Sequence, residues 1–512
     1  MKKITIFYIF ALFLSFLPQS QASQAAVSAN TEKPQLFDPN YELQKIYSEI
    51  PGGGTGRVRL INANHEAWYA RWNLISEARR TIDVTYFILQ KDIFGMSFLG
   101  LLLQKAREGV KIRLMVDARM MPLYFRPFDH DELQELVGCP GVQIRLYNQI
   151  PQTIVASVEK KDLRMLSTSN HDKILIIDNK ISITGGRNLG GDYFAQPGEL
   201  KIAYYDSDVI LDGPEIAKDL YEAFESEWKV LSNYQVKADF LNFRNQSKKL
   251  ELARMAMENY MKGAPLLDPK LPSIPDSHRK IVEEFNAELM KFKKIQDYKK
   301  FTVWRGELPQ PVRILDKESI LGHKDQIGFN LQRFINAAKH EIVIQNPYVV
   351  LTKEAWNLMS QASKRGVRII MHTNGPKSID APEALAFFCK EWAEMMRDMP
   401  TLQLFMAPSD KHQLHSKVIV IDWQIAVIGT YNLDPLSMVI NSEVVAAINN
   451  REFATMVRLR VLNATKTAIE CQINRNSDGS TTKVRGPEQD ISPEIQKKIN
   501  FLMKLDWLRP LL

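Results

Sequence analysis

The feature that most restricts how this chain can fold is that it repeats itself. "ISEARRTIDVTYFIL" (residues 75–89) has the shape of "INAAKHEIVIQNPYVVL" (335–351): a helix end, a polar joint, then a β-branched and aromatic strand. "LLLQKAREGVKIRLMVD" (101–117) parallels "LMSQASKRGVRIIMHTN" (358–374), in which an amphipathic helix closes at glycine and an apolar strand follows. "NHDKILIIDNKISITGGRNL" (170–189) parallels "LHSKVIVIDWQIAVIGTYNL" (414–433). The order is the same in both sets, so duplication is the simplest account. Helices alternating with buried-type strands predict an α/β fold of two tandem halves, each a mixed sheet covered by helices, packed about a pseudo-two-fold axis around one shared site.

The halves are expected at 23–232, with its motif at 165–192, and at 311–512, with its motif at 409–436. Between them, 233–310 reads as a helical insert or linker, interrupted by the proline-rich loop "APLLDPKLPSIPDS". Its lysines suit a solvated face, with contact to an anionic surface as the alternative. The start, "MKKITIFYIFALFLSFLPQSQASQA", has two lysines, an apolar run, a proline break and small residues suiting cleavage after Ala22. It reads as a signal peptide over 1–22, the alternative being an uncleaved anchor. The expected location is therefore the periplasm, or the periplasmic face of a bacterial membrane. The final stretch "INFLMKLDWLRPLL" suits an amphipathic helix, for which packing on the protein is preferred to docking on a bilayer.

A formal charge of +7 favours an anionic partner: nucleic acid, a phospholipid surface or a phosphorylated molecule. Cys139, Cys389 and Cys471 show no zinc-ligand spacing; one disulfide and a spare thiol, or three buried thiols, are both open.

Of nine histidines, only His171 and His415 have lysine two residues on and aspartate seven residues on. His278 has Lys280 but Phe285, in a helical context. Residues two apart on a strand share a face, so His171 points with Lys173 and His415 with Lys417. With Asn188 and Asn432 as amide donors, the two halves together would surround a tetrahedral phosphate, without any metal or other cofactor. One imidazole would attack phosphorus while the other protonates the leaving alcohol, giving a phosphohistidine intermediate. Each ring needs an acceptor to fix its tautomer. Aligning "DSDVI" with "NSEVV" offers Asp208 in the first half and Glu443 in the second, against the plainer reading of acids at strand ends.

These motifs, with "TIDVTYFILQKDIFG" and "TNGPKSIDAPEAL", resemble the phospholipase D superfamily, and within it the bacterial cardiolipin synthases that lack N-terminal membrane-spanning helices. The resemblance implies two α/β halves sharing one site and a ping-pong phosphatidyl transfer between phospholipids at a membrane surface. His171 would be the nucleophile and His415 the general acid and then base, with Lys173, Lys417, Asn188 and Asn432 on the phosphate oxygens. Asp178 and Asp422 complete the family motif, but their place on a turn after a buried strand suggests a structural role. The same pocket would serve a hydrolase releasing phosphatidic acid, and a nuclease of the superfamily is a third reading.

Overall fold

The computed structural model describes residues 39–118, 131–148, 157–158, 161–230, 233–238, 248–408, 413–476, 480–505 and 509. The expected signal peptide lies outside them. The first-half strands are β1 (Gly54–Ile61), β2 (Thr81–Tyr86), β3 (Lys111–Asp117), β4 (Val142–Tyr147), β5 (Ile174–Ile177), β6 (Ile181–Gly185), β7 (Tyr204–Tyr205), β8 (Asp208–Asp212) and β9 (Tyr234–Gln235). Those of the second half are β10 (Pro309–Lys317), β11 (Glu341–Gln345), β12 (Arg368–Asn374), β13 (Leu402–Ala407), β14 (Gln413–Leu414), β15 (Val418–Ile421), β16 (Ile425–Gly429), β17 (Glu443–Asn449) and β18 (Ile469–Glu470).

Sixteen of these strands form one sheet, in the order β18-β13-β12-β11-β15-β16-β17-β10-β1-β8-β6-β5-β2-β3-β4-β9. Read from its centre the order is the same in both directions, each strand of one half facing its repeat in the other, as a pseudo-two-fold axis requires. The axis falls between β1 and β10, which pair antiparallel from Gly54↔Val312 to Arg57↔Pro309. The two sheets expected from the sequence are thus fused edge to edge, which hides two strand edges that would otherwise be exposed.

Side-chain alternation divides the core by face. Ile82, Val84, Ile112 and Leu114 join a cluster belonging to the first half, and Ile342, Ile344, Ile369 and Met371 its counterpart in the second. On the opposite face Met115, Ile174, Ile176, Val418 and Val420 pack with Phe224 and Val457, from helices Pro214–Trp228 and Arg451–Thr465, in a core common to both halves.

The segment 233–310 is not a separate insert. Tyr234–Gln235 pairs with β4, and Leu250, Ala253, Met257, Phe285 and Leu289 complete the first-half core. Helix Tyr41–Glu49 crosses the other way, burying Leu43, Ile46 and Tyr47 among second-half residues such as Leu315 and Phe334. The boundary at 233 therefore does not coincide with a boundary of the cores, and helix Tyr41–Glu49, expected in the first half, belongs to the second, whereas the division at 311 falls between the last first-half core residues and Val312. Helix Pro493–Leu502 packs Ile499 and Leu502 into the second-half core, leaving Phe501 exposed. Cys389 and Cys471 are buried free thiols and Cys139 is a half-buried one. No described helix is long and apolar enough to cross a membrane.

Candidate active site

Both histidines lie on extended segments that lead into strands, not within the strands themselves, since β5 begins at Ile174 and β15 at Val418. Each segment is anchored by the opposite half. The His171 N–H donates to the Ser442 carbonyl, and Asn170 bridges to Ser442 in parallel. The His415 N–H donates to the Tyr205 carbonyl at 2.8 Å, at the end of the parallel β7–β14 ladder. The two anchors bring His171, Lys173, His415 and Lys417 together, all of them buried.

The acid that follows each anchor reaches across to the ring. His171 Nδ1 lies 2.8 and 3.0 Å from the two Glu443 oxygens. His415 Nδ1 lies 2.6 Å from Asp206 Oδ2. Asp208, expected to orient a histidine, touches none: it pairs with Arg71 at 2.9 Å and Arg187 at 3.1 Å. Strand register explains the correction. Gly185 pairs with Asp208 while its repeat Gly429 pairs with Val445, so the counterpart of Glu443 is Asp206. Both acids stand eight residues before the following helix begins (214 − 206 and 451 − 443), a signal the sequence carries. Glu443 also serves His171 in the other half, not the histidine of its own half.

The two dyads are built differently. Glu443 accepts from the Thr430 and Ser437 hydroxyls. In the first half Gly186 occupies the place of Thr430, and a Cβ there would sit 2.1 Å from Asp206 Oδ1. Asp206 is held by the Ser207 N–H at 2.8 Å, while buried Arg187 donates to its backbone carbonyl. Sequence reading missed Asp206, Arg187, Thr430 and Ser437, of which only Asp206 leaves a spacing signal.

A carboxylate can only accept, so each ring donates from Nδ1, and Nε2 is left to carry a lone pair in the neutral imidazole or a proton in the imidazolium. Burial, then Lys173, Lys417 and His415, hold the His171 imidazole well below its ordinary value. Burial and Lys417 lower His415 too, against the opposing charge of Asp206. Burial pushes the Asp206 carboxyl up, but His415 and Lys417 outweigh it and keep it below the usual range. Burial raises Glu443 to about 7. It brings Lys173 down to about 7 and Lys417 to about 8. Each ammonium donates to the carbonyl of its own histidine. The two non-bridging oxygens of a phosphodiester, which share one negative charge, suit this pair of desolvated cations.

Asn188 accepts from the Ile88 N–H and donates to the Tyr193 hydroxyl at 2.9 Å, which commits part of its amide to the wall of the site. Asn432 is buried with its Oδ1 unpartnered. Phe87 stands edge-on to His171, centroids 4.9 Å apart. On the other side Tyr193 and Tyr204 stack at 4.5 Å and both approach His415. Asp178 and Asp422 are outside the pocket. Asp178 accepts the N–H groups of Arg79, Arg80 and Thr81. Asp422 accepts those of Lys339, His340 and Glu341 and the Asn40 amide. Both tie a turn to the start of β2 or β11. Among the described residues no group of three His, Cys, Asp or Glu is placed to hold a metal ion.

Comparison with known proteins agrees with this architecture. Cardiolipin synthase C of Escherichia coli (strain K12) is 25% identical over 428 residues, covering 78% of this chain and 82% of that protein. An uncharacterized protein of Helicobacter pylori (strain J99) is 24% identical over 422 residues, covering 78% of this chain and 77% of the other. The fold is that of the phosphatidylserine synthase of Haemophilus influenzae Rd KW20, with a TM-score of 0.61 at 13% identity, over 93% of this chain and all of that one. The family model described as "Cardiolipin synthase, PLD-like domain" matches residues 72–228 and 331–460, one block carrying His171 and the other His415, so this chain is an enzyme of the cardiolipin synthase-like branch of the phospholipase D superfamily.

Proposed function

We propose that the protein is a phosphatidyltransferase of the cardiolipin synthase kind, moving a phosphatidyl group from one phospholipid to the hydroxyl of another through a covalent phosphohistidine. The observation that carries the reading is the pair of buried imidazoles, each with Nδ1 held by a carboxylate of the opposite half and each beside a desolvated lysine. His171 Nε2 attacks phosphorus and forms the N–P bond, while His415 gives its proton to the departing alcohol as the P–O bond breaks. His415 then takes the proton of the incoming hydroxyl, whose oxygen displaces His171 from phosphorus. Lys173 and Lys417 neutralise the non-bridging oxygens, and the Asn432 amide is the remaining donor for them. Burial and three cationic neighbours hold His171 well below its ordinary value, which favours the neutral ring of a nucleophile, whereas Asp206 opposes the lowering of His415 and supports the imidazolium that donates the proton.

The test is turnover, by the purified protein, of phosphatidylglycerol vesicles with and without phosphatidylethanolamine. Cardiolipin or a related two-phosphate lipid is the expected product, and His171→Ala abolishes it. His415→Asn is expected to accumulate a phosphatidyl adduct on His171, detectable by mass spectrometry. Phosphatidic acid alone would identify a hydrolase; no turnover of either lipid, with cleavage of nucleic acid, would replace the lipid reading. The enzyme also acts, in this proposal, as an exported protein in the periplasm or at the periplasmic face of a bacterial membrane. Cleavage after Ala22 in the periplasmic fraction is the expected result, and an intact N-terminus in the cytosol would refute export.

A further inference from the structure

Across the mouth of the pocket lies a group the transfer reaction does not by itself require. Asp380 sits on the loop between β12 and helix Pro382–Asp398. Its Oδ2 accepts from the Tyr204 hydroxyl of the first half at 2.8 Å, and its Oδ1 from the Tyr348 hydroxyl of the second at 2.6 Å. The carboxylate is exposed, and no Lys or Arg among the described residues pairs with it; Lys377, three residues away, pairs with Asp490 instead. The rings that aim it belong to the His415 side. Tyr204 stacks on Tyr193, and their centroids lie 5.2 and 5.5 Å from that of His415. The negative charge of Asp380 acts on both His415 and Lys417. On the His171 side Phe87 lies against the ring, and among the described residues no acid there is held by two tyrosine hydroxyls.

A carboxylate held by two tyrosine hydroxyls, and paired with no lysine or arginine among the described residues, matches an ammonium group. It would repel a phosphate, so it fits the alcohol that leaves or enters at His415 rather than the phosphoryl group between the lysines. Building on the phosphatidyl-transfer reading, we propose that Asp380, with Tyr204, Tyr348 and Tyr193, is a specificity subsite for the ammonium of a short amino alcohol, the head group protonated by His415. A primary ammonium head group, such as that of phosphatidylethanolamine, is thereby selected over an uncharged polyol.

The experiment gives the full-length protein mixed vesicles of phosphatidylethanolamine and phosphatidylglycerol, the latter supplying the acceptor hydroxyl, and reads the ratio of ethanolamine to glycerol released, which measures the ratio of the two kcat/KM values. Asp380→Asn is expected to lower the ethanolamine-to-glycerol ratio at least about ten-fold, and Asp380→Glu to hold it within about three-fold of the parent. Tyr348→Phe, which frees one carboxylate oxygen without touching the charge, covers the case in which Asp380→Asn fails to fold, and is expected to lower the ratio by about two- to five-fold. A ratio unmoved in folded Asp380→Asn, or a parent enzyme that turns over phosphatidylglycerol but not phosphatidylethanolamine, would overturn the subsite and leave phosphatidyl transfer standing. A parent enzyme inactive on both lipids would overturn phosphatidyl transfer and the subsite with it.

Discussion

Asp206 and Asp208 are separated by one residue and both are buried, yet one orients a histidine and the other neutralises Arg71 and Arg187. Their replacements should fail in different ways. Asp206→Asn is expected to lower kcat roughly 100- to 10,000-fold with little change in stability, because His415 loses the acceptor that sets its tautomer. Asp208→Ala leaves two buried guanidinium groups short of a counter-charge and is expected to cost about 3–5 kcal/mol in denaturant titration. The opposite assignment, kcat falling only in Asp208→Ala, would refute the register argument. The His-Lys pairs were legible because each is repeated at fixed spacing, and Glu443 was found although it was matched with the wrong acid of the first half. Asp206 was missed because two residues along a strand return to the same face, so that the choice between the two acids needs the ladder or the spacing to the following helix. The pH profile belongs to the same atoms. Lys173 titrates at about 7 and Lys417 at about 8, so raising the pH through 7 to 8 removes the charges that hold phosphate. The KM is expected to rise over that window; kcat/KM should fall again only well below the ordinary imidazole range, where His171 gains a proton and loses its lone pair. A KM flat from pH 6.5 to 9 would exclude the lysines as phosphate ligands.

The turn elements divide into those that aim the chemistry and those that hold the sheet. Gly186 closes the strand after the first motif, and its lack of a Cβ makes room for the Asp206 carboxylate. Gly186→Ala is expected to lower kcat at least about ten-fold by pushing that carboxylate off His415, a loss that a structural glycine at a strand end would not produce. Asp178 works on the far end of the same hairpin, where it accepts three successive backbone N–H groups. Asp178→Ala should cost about 2–3 kcal/mol of stability and leave the kcat of the folded fraction within about two-fold. Equal kcat losses for the two variants would show that the turn, not the carboxylate, sets the rate. The helix-to-strand repeats were readable because their periodicity is local. The docking of Tyr41–Glu49 on the second half and of Lys249–Met261 on the first was not, because an amphipathic stripe says that a helix has a partner without saying which.

At the scale of the whole molecule the halves are joined three times over: by the β1–β10 ladder, by the core common to both on one face of the sheet, and by histidines whose acids come from across the axis. None of these joints can be broken without exposing a strand edge, opening the shared core or leaving buried charges unpaired. Duplicated halves of this length could have folded as two independent domains, and a tandem repeat in sequence cannot distinguish that outcome from fusion. Fusion predicts one cooperative unfolding transition in scanning calorimetry, with calorimetric and van't Hoff enthalpies in agreement. A cavity made in one half should then move the entire transition. Leu114→Ala, in the first-half core, is expected to cost about 2–5 kcal/mol and to lower the single midpoint by about 2–5 °C. Two resolved transitions, with only one of them shifted, would mean that the ladder between β1 and β10 is a contact between separable domains. The crossed histidine pairs would then have to form after each half had folded by itself.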